Sequence, residues 1–453
     1  MKPSSKLLRT FFGHTENRRQ VPGLSGLPLM LLGAAVGGLS YWLIQKEKEV
    51  RKALQAASKA AAAAEAAAKA VEEREAALKE EVPPPEEPDS DMYIPMVTPV
   101  TLEVSADLSA FVDPSVDEGR FLDELIPFMR DGLFTELGVR FPGIRVRRNP
   151  SLKSASYLIF LHEVPLVSGE VRLEHVLVNE SAERLKLLGI EGIPTVNPAT
   201  MQPACWISNT HADAMRSMEA AVWNIPEFLI LHLSAVLKRY APDFVDVQEV
   251  QRMLDGLDKV FPVLIRETIP HVLSLVKLTE ILKRLVDEGV SIRDMRGILQ
   301  AVAENGHQEK EIVMLTERVR IALRRSIASQ HARGGKQLLV YLLDGEIERM
   351  IQESIQHDAG GAACLAMAPD AARGIIEAVK RECGAVSLLA QRPVILTKMR
   401  VRRYVYALLA HEFNPPLPVI SHHELSPEIQ VRPMVQIMLS PPAPTQECAA
   451  ESP

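Results

Sequence analysis

The sequence predicts an α+β fold in several lobes, set behind one N-terminal membrane helix and a helical linker. Three observations carry this reading. A charge-free run, Leu24 to Ile44, is long enough to cross a bilayer as a helix. A tract of Ala, Lys, Glu and Arg follows over 46–81 with no sustained apolar stripe. Beyond Met92 the apolar residues recur in blocks: two-residue and 3–4 spacing mixed, then 3–4 spacing alone, then mixed again.

Composition sets the outer limits. The 453 residues exceed what one core organises, at roughly 100–200 residues per domain. Apolar residues make up 47% of the chain but aromatics only 5%, so Ala, Leu, Val and Ile fill the interior, which favours helix-rich packing. A formal charge of −7 gives no general attraction to nucleic acid or anionic lipid. Cys205, Cys364, Cys383 and Cys448 lie far apart with no CxxC pair, so neither a zinc site nor a disulfide framework is indicated.

The membrane helix is placed at 21–45, after an N-terminal segment 1–20. Tyr41 and Trp42 stand at its end, where amphipathic rings favour the interface. Gly33, Gly37 and Gly38 leave one flank narrow enough for close helix contact. A signal peptide and a buried soluble helix are the rivals, the first because Lys2, Lys6 and Arg9 precede the run. Basic residues flank both ends, so charge alone does not orient the span. The linker occupies 46–91. Its helix carries Glu65–Lys69 and Glu75–Lys79 in the favourable order and ends at "VPPPEEPDSD", where proline cannot continue it. It reads as a semi-rigid spacer.

In the body, "PVTLEVSADL" (99–108) reads as a strand. Residues 117–138 read as an amphipathic helix with Phe121, Leu125, Phe128 and Leu133 inward. "IRVRRNP" and "SYLIFLHEVPLVSGEVRLEHVLV" give three further strands, the last two turning near Ser168-Gly169. A turn-rich stretch (179–208) leads to the short strand "ACWIS" and then to helices near 213–218 and 227–241. Residues 246–334 read as almost wholly helical. Strands and helices alternate again over 336–439, giving a second α+β unit. The tail "SPPAPTQECAAESP" has the composition of a disordered segment.

Chemistry is sparse. No P-loop, GxGxxG, HExxH or GxSxG is present, and no catalytic residue, cofactor or metal is expected. His422-His423-Glu424 reads as surface or partly packed rather than ligating, because neighbours in a strand point to opposite faces. "RVRRYVY" (400–406) reads as a solvated basic face on a packed helix, and no nucleic-acid partner is expected. In "VSIRDMRGILQAVAENG" (290–306) Ser291 is the expected N-cap, with Asp294 at the reciprocal position. Arg293, Asp294 and Arg296 lie off the buried stripe. They are either solvated charges or contacts to a neighbouring domain or subunit.

Three stretches together resemble the FlhA/SctV (FHIPEP) family, the large export-gate protein of bacterial type III secretion systems, flagellar and injectisome. They are "VPGLSGLPLMLLGAAVGGLSYWL" (21–43), like that family's final membrane helix, "PHVLSLVKLTEILKRLVDEGVSIRDMRGILQAVAE" (270–304), and "LPVISHHELSPEIQVRPMVQIML" (417–439). The resemblance covers roughly 21–440. It implies a four-part cytoplasmic tail: subdomain 1 (α+β) at 92–178 and 221–244, an inserted subdomain 2 at 179–220, a helical subdomain 3 at 245–334, and subdomain 4 (α+β) at 335–440, with 441–453 as a tail. It implies a location in the bacterial inner membrane, single-pass as given, with the C-terminal part cytoplasmic.

The implied partners are other copies in a nonameric homo-oligomeric ring, secretion chaperones with their substrates, other membrane proteins of the export apparatus, and the ATPase stalk. The helix at 290–306 falls in the part that contributes to the ring. The chaperone-docking cleft of flagellar members aligns with "TVNPATMQPACWIS" (195–208) and puts their key positions at Asn197, Thr200 and Leu231. All three depart from the flagellar residues, which favours an injectisome-type protein; an ordinary turn at Asn197-Pro198 is the alternative. The family's earlier membrane helices and their loop have no counterpart before residue 21. The resemblance therefore implies a fragment, a split-gene product or a mis-started frame, and assigns no ion coupling here. The rival functions are a membrane-tethered adaptor without transport activity, and an enzyme with a site assembled from scattered residues.

Overall fold

The computed structural model describes residues 97–332, 335–357, 363–383 and 393–439. The expected membrane helix, linker and tail lie outside the described residues. Among the described residues no helix is long and apolar enough to cross a membrane.

The first sheet joins β1 (Val100–Val104), β2 (Ile144–Arg148), β3 (Ser156–Leu161) and β4 (Val164–Glu170) in the order β2-β1-β3-β4. β1 and β2 run parallel, and the other pairs are antiparallel. β1 is buried along its whole length, Glu103 included. That carboxylate is tolerable because Arg147, opposite it on β2, pairs with it and Asn149 Nδ2 donates to it at 2.6 Å. The β3–β4 hairpin turns at His162-Glu163, both at positive φ (48° and 66°), and not near Ser168-Gly169 as expected. Gly169 is inside β4 for a different reason. A Cβ there would stand 2.3 Å from the Tyr157 ring on β3.

Helix α1 (Ile126–Leu137) follows a π-helical turn at Arg120–Leu125. The wider turn slips the apolar phase, so Phe121 is followed inward by Ile126, Met129, Leu133 and Leu137. Phe128, expected inside, is 80% exposed as a result. The helix stops at Gly138, left-handed at φ 77°, whose amide donates to Phe134 O.

The second sheet is small and antiparallel, with the order β6-β7-β5-β8. It comprises β5 (His175–Val178), β6 (Ile193–Val196), β7 (Pro203–Ser208) and β8 (Val222–Trp223), flanked by α2 (Ala182–Leu187) and α3 (Ala212–Ser217). It has its own core of Val176, Val178, Leu185, Ile207 and Met215. The chain then returns to the first lobe as α4 (Ile225–Arg239), opened by a reciprocal cap between Asn224 and Glu227.

The helical lobe runs through α5 (Val247–Asp258), α6 (Pro262–Thr268), α7 (Leu275–Asp287), α8 (Met295–Asn305), α9 (Ile312–Ala322) and α10 (Arg324–His331). Within the stretch expected to be almost wholly helical, α9 ends at its C-cap, Leu323, and Arg324 and Arg325 open α10.

The last lobe contains β9 (Gln337–Leu343), α11 (Gly345–Glu353), the hairpin β10 (Ile355–His357) and β11 (Ala363–Leu365), α12 (Pro369–Cys383), β12 (Val394–Thr397), α13 (Met399–Leu409), β13 (Val419–Ser421) and β14 (Gln430–Ile437). Its sheet has the order β13-β12-β9-β14, and every pair is parallel. Within the expected second α+β unit the strands thus follow a βαβ pattern, with α12 and α13 in the crossovers. One face of this sheet (Leu338, Val340, Val394, Leu396, Ile420) belongs to a continuous core shared with the helical lobe and the first lobe. The other face packs on α11, α12 and α13 through Ile347, Ile375, Val401 and Val405.

Candidate docking cleft and interlobe contacts

The β6–β7 connection presents the stretch expected to dock a partner. Asn197 is 1% exposed and spends its side chain on the loop itself. Its Oδ1 accepts from Ala199 N (2.9 Å) and Thr200 N (3.4 Å), and its Nδ2 donates to Asn179 Oδ1 (3.3 Å). Its backbone pairs with Gln202 O and Met201 N. Asn favours such self-bonded turns. The loop it closes turns Thr200 and Met201 outward, with Met201 at φ 56°. Leu231 lies elsewhere, half-buried on α4 against the first-lobe core. The structure therefore brings Asn197 and Thr200 together and leaves Leu231 on another element.

The insert meets the first lobe through rings. Trp206 on β7 packs edge-on to Phe228 of α4 (centroids 4.9 Å), and Phe228 packs on Tyr157 (6.2 Å). The Tyr157 hydroxyl and His232 Nδ1 are 2.5 Å apart. Burial pushes His232 down to about 4 and Tyr157 well up, so the hydroxyl donates to a neutral imidazole.

In the 290–306 stretch the cap is Asp294, not Ser291: its Oδ1 accepts from Gly297 N at 2.9 Å and the helix begins at Met295. Residues 290–294 run along the end of α1 instead. Ile292 N donates to Leu137 O (2.9 Å), and Arg293 Nη1 donates to Thr135 O (3.0 Å). Arg293 thus satisfies a carbonyl that α1 leaves open, where a cation also suits the helix dipole. Arg296 lies over the Phe261 ring at 5.0 Å, beside an open apolar hollow lined by Val260, Val263 and Leu264. Thus Arg293 bridges two lobes, Asp294 caps a helix, and Arg296 stacks within the helical lobe.

A buried charge cluster joins the helical lobe to the last lobe. Arg402, expected on a solvated face, is 1% exposed on α13. Glu424, expected at the surface or partly packed, is 0% exposed. Arg402 bonds Glu317 and Glu288, and Arg320 bonds Glu424 and pairs with Glu288 at 3.0 Å. Arg320 and Arg402 pull Glu288 below the usual carboxylate range against burial, whereas burial keeps Glu317 above it. Spacing along the chain gives no sign of this, because its members are up to 136 residues apart (288 to 424). Among the described residues no group of His, Cys, Asp and Glu is arranged to hold a metal ion.

The sequence pattern of the FHIPEP family matches residues 18–430, nearly the whole chain. The chain belongs to the FHIPEP family. It is 35% identical over 340 residues to "Low calcium response locus protein D" of Yersinia pestis, covering 75% of this chain and 48% of that protein. It spans about half the length of the curated relatives it matches. Among solved structures, that of the Chlamydia pneumoniae CdsV and CdsO protein complex matches at TM-score 0.71 and 36% identity, over 77% of this chain and 100% of that one. The nonameric EPEC SctV-C matches at TM-score 0.63 and 25% identity, over 76% and 100%. The mixed α and β body is thus the fold of this family's cytoplasmic domains.

Proposed function

We propose that this chain is an export-gate component of a type III protein secretion apparatus, whose cytoplasmic body forms a ring that docks chaperone–substrate complexes and orders their export. The observation that carries this is the match of the body to the chain in the CdsV and CdsO complex, at 36% identity and over 100% of that chain. The nonameric EPEC relative supports a ring, and the CdsV and CdsO complex supports docking of a further apparatus protein, such as an ATPase stalk. In this reading, segment 21–45 anchors the protein in the bacterial inner membrane among the other export-apparatus membrane proteins. The body divides into the four parts expected from the resemblance. It works by binding, not by catalysis.

Docking is placed at the rim of the insert. Thr200 and Met201 supply exposed contacts, Asn197 holds their loop, and Leu231 serves as a wall on α4. Arg293, Asp294 and Arg296 brace the helical lobe rather than meet the cargo. The test is binding of the full chain in detergent to a secretion chaperone loaded with its substrate. Saturable binding to the loaded chaperone, weakened by Thr200→Arg without loss of folding, supports the proposal. No binding below about 100 μM, a Kd worth roughly 5.5 kcal/mol, contradicts it.

A further inference from the structure

We infer that the last lobe is latched to the helical lobe by a desolvated charge cluster that also closes the free edge of its parallel sheet, and that Arg402 is the latch's central positioning residue. This goes beyond the docking reading and does not depend on it.

The geometry is specific. β13 is the outermost strand of the sheet, yet Val419, Ile420 and Ser421 are all buried. A strand edge in that position needs partners for its outward groups. Here guanidinium groups supply them. Val419 O accepts from Arg402 Nη1 at 3.3 Å and from Arg320 Nη2 at 3.5 Å. Arg402 comes from the last lobe and Arg320 from the helical lobe, so the sheet edge is finished from both sides of the joint.

The remaining donors are spent across the same boundary. Arg402 Nε donates to Glu317 Oε2 at 2.7 Å and Nη2 to Glu288 Oε1 at 3.0 Å, with further bonds from Nη2 to Glu317 and from Nη1 to Glu288. Together with Val419 O, these bonds occupy the five N–H donors a guanidinium has. Arg320 reaches the other way, donating to Glu424 Oε1 at 2.6 Å, and Glu424 also accepts from Ser421 N at 3.0 Å. Tyr406, one turn beyond Arg402, donates to Asp287 O at 2.8 Å. Each lobe thus holds an arginine whose carboxylate partner belongs to the other. Arg320 also pairs with Glu288 inside the helical lobe at 3.0 Å, but every hydrogen bond from Arg402 to a carboxylate and the Arg320–Glu424 pair cross the joint, so separating the lobes breaks most of the cluster's charged contacts. A lysine at 402 keeps the charge but brings three donors in place of five and no planar fork, so at least two of these bonds are lost.

The test is hydrogen exchange on the full chain in detergent, comparing the unaltered protein with Arg402→Lys, Arg402→Met and Arg402→Met/Glu317→Met. The latch predicts that Arg402→Lys raises exchange tenfold or more at 419–424 and 314–320, while α12 and α4 keep their protection. It predicts a larger rise in Arg402→Met, partly reversed in the double variant because no lone carboxylate remains buried. In 1 M NaCl the unaltered joint stays protected, because buried pairs are little screened. Native protection throughout Arg402→Lys would overturn the inference, as would an equal rise over both lobes or opening of the unaltered joint by salt.

Discussion

Arg402 Nε meets Glu317 Oε2 at 2.7 Å across 85 residues of chain, with both side chains almost sealed from water. Removing Glu317 leaves the buried Arg402 with two donors unpartnered and only Glu288 to balance its charge. Glu317→Ala is therefore expected to lower stability by about 3–5 kcal/mol. Denaturant unfolding of the purified body measures this, and a loss below about 1 kcal/mol would mean the pair is not sealed as described.

The acid dependence follows from two histidines. Burial holds His232 and His331 down to about 4, with Arg320 adding to the effect at His331. In the unfolded chain each takes up a proton near pH 6.5. Between about pH 6.5 and 4 the unfolded state holds more protons, so stability falls as pH falls, and the full contribution is present only above about pH 6.5. The gap amounts to at most about 3 kcal/mol per histidine. His232→Gln is expected to flatten the slope between pH 7 and pH 5 in denaturant titrations; an unchanged slope would place the titration elsewhere.

Gly138 ends α1 at φ 77°, and a Cβ there would meet Arg293 N at 2.6 Å. Gly138→Ala is expected to cost more than the roughly 1–2 kcal/mol of a left-handed alanine, because it also pushes the 290–294 segment off the helix end. Arg293→Ala keeps that backbone and loses one exposed hydrogen bond to Thr135 O, for about 0.5–1.5 kcal/mol. Thermal unfolding of the two variants gives the order; a milder effect at Gly138 than at Arg293 would contradict the contact.

Asn197 and Thr200 separate shape from contact. Asn197→Ala is expected to loosen the loop and cost about 1–3 kcal/mol, since the Ala199 and Thr200 amides and the Asn179 side chain lose the buried group they bond. Thr200→Ala, at an exposed position, is expected to change stability by less than about 0.5 kcal/mol. Unfolding curves for the two variants check this, and equal losses would show Thr200 to be structural.

Much of the architecture was readable because period and length are local properties. The helices of 246–332 follow from 3–4 spacing, and β1 and β9 from short apolar runs. Phe128 was misplaced because a π-turn adds a residue to the phase, and the sequence carries no mark of it. The turn at His162-Glu163 escaped because neither residue is a usual hairpin former, while Ser168-Gly169 is, though its glycine serves Tyr157. Ser291 is a better cap by type than by place: the backbone of 290–294 is committed to α1, so the helix starts later, at Asp294. Arg402 and Glu424 look like surface charges in any window of sequence, because their partners come from distant segments. On the loop proposed for docking, sequence could not say that Asn197 faces inward and Thr200 outward.

The central claim is that this body assembles as the ring of an export gate. Single-particle imaging of the full chain in detergent, with mass measurement of the same sample, tests it most directly. The account predicts closed rings, nonameric as in the EPEC relative, with one wall formed by the helical lobe. A species that stays monomeric as concentration rises well above the micromolar range would contradict it.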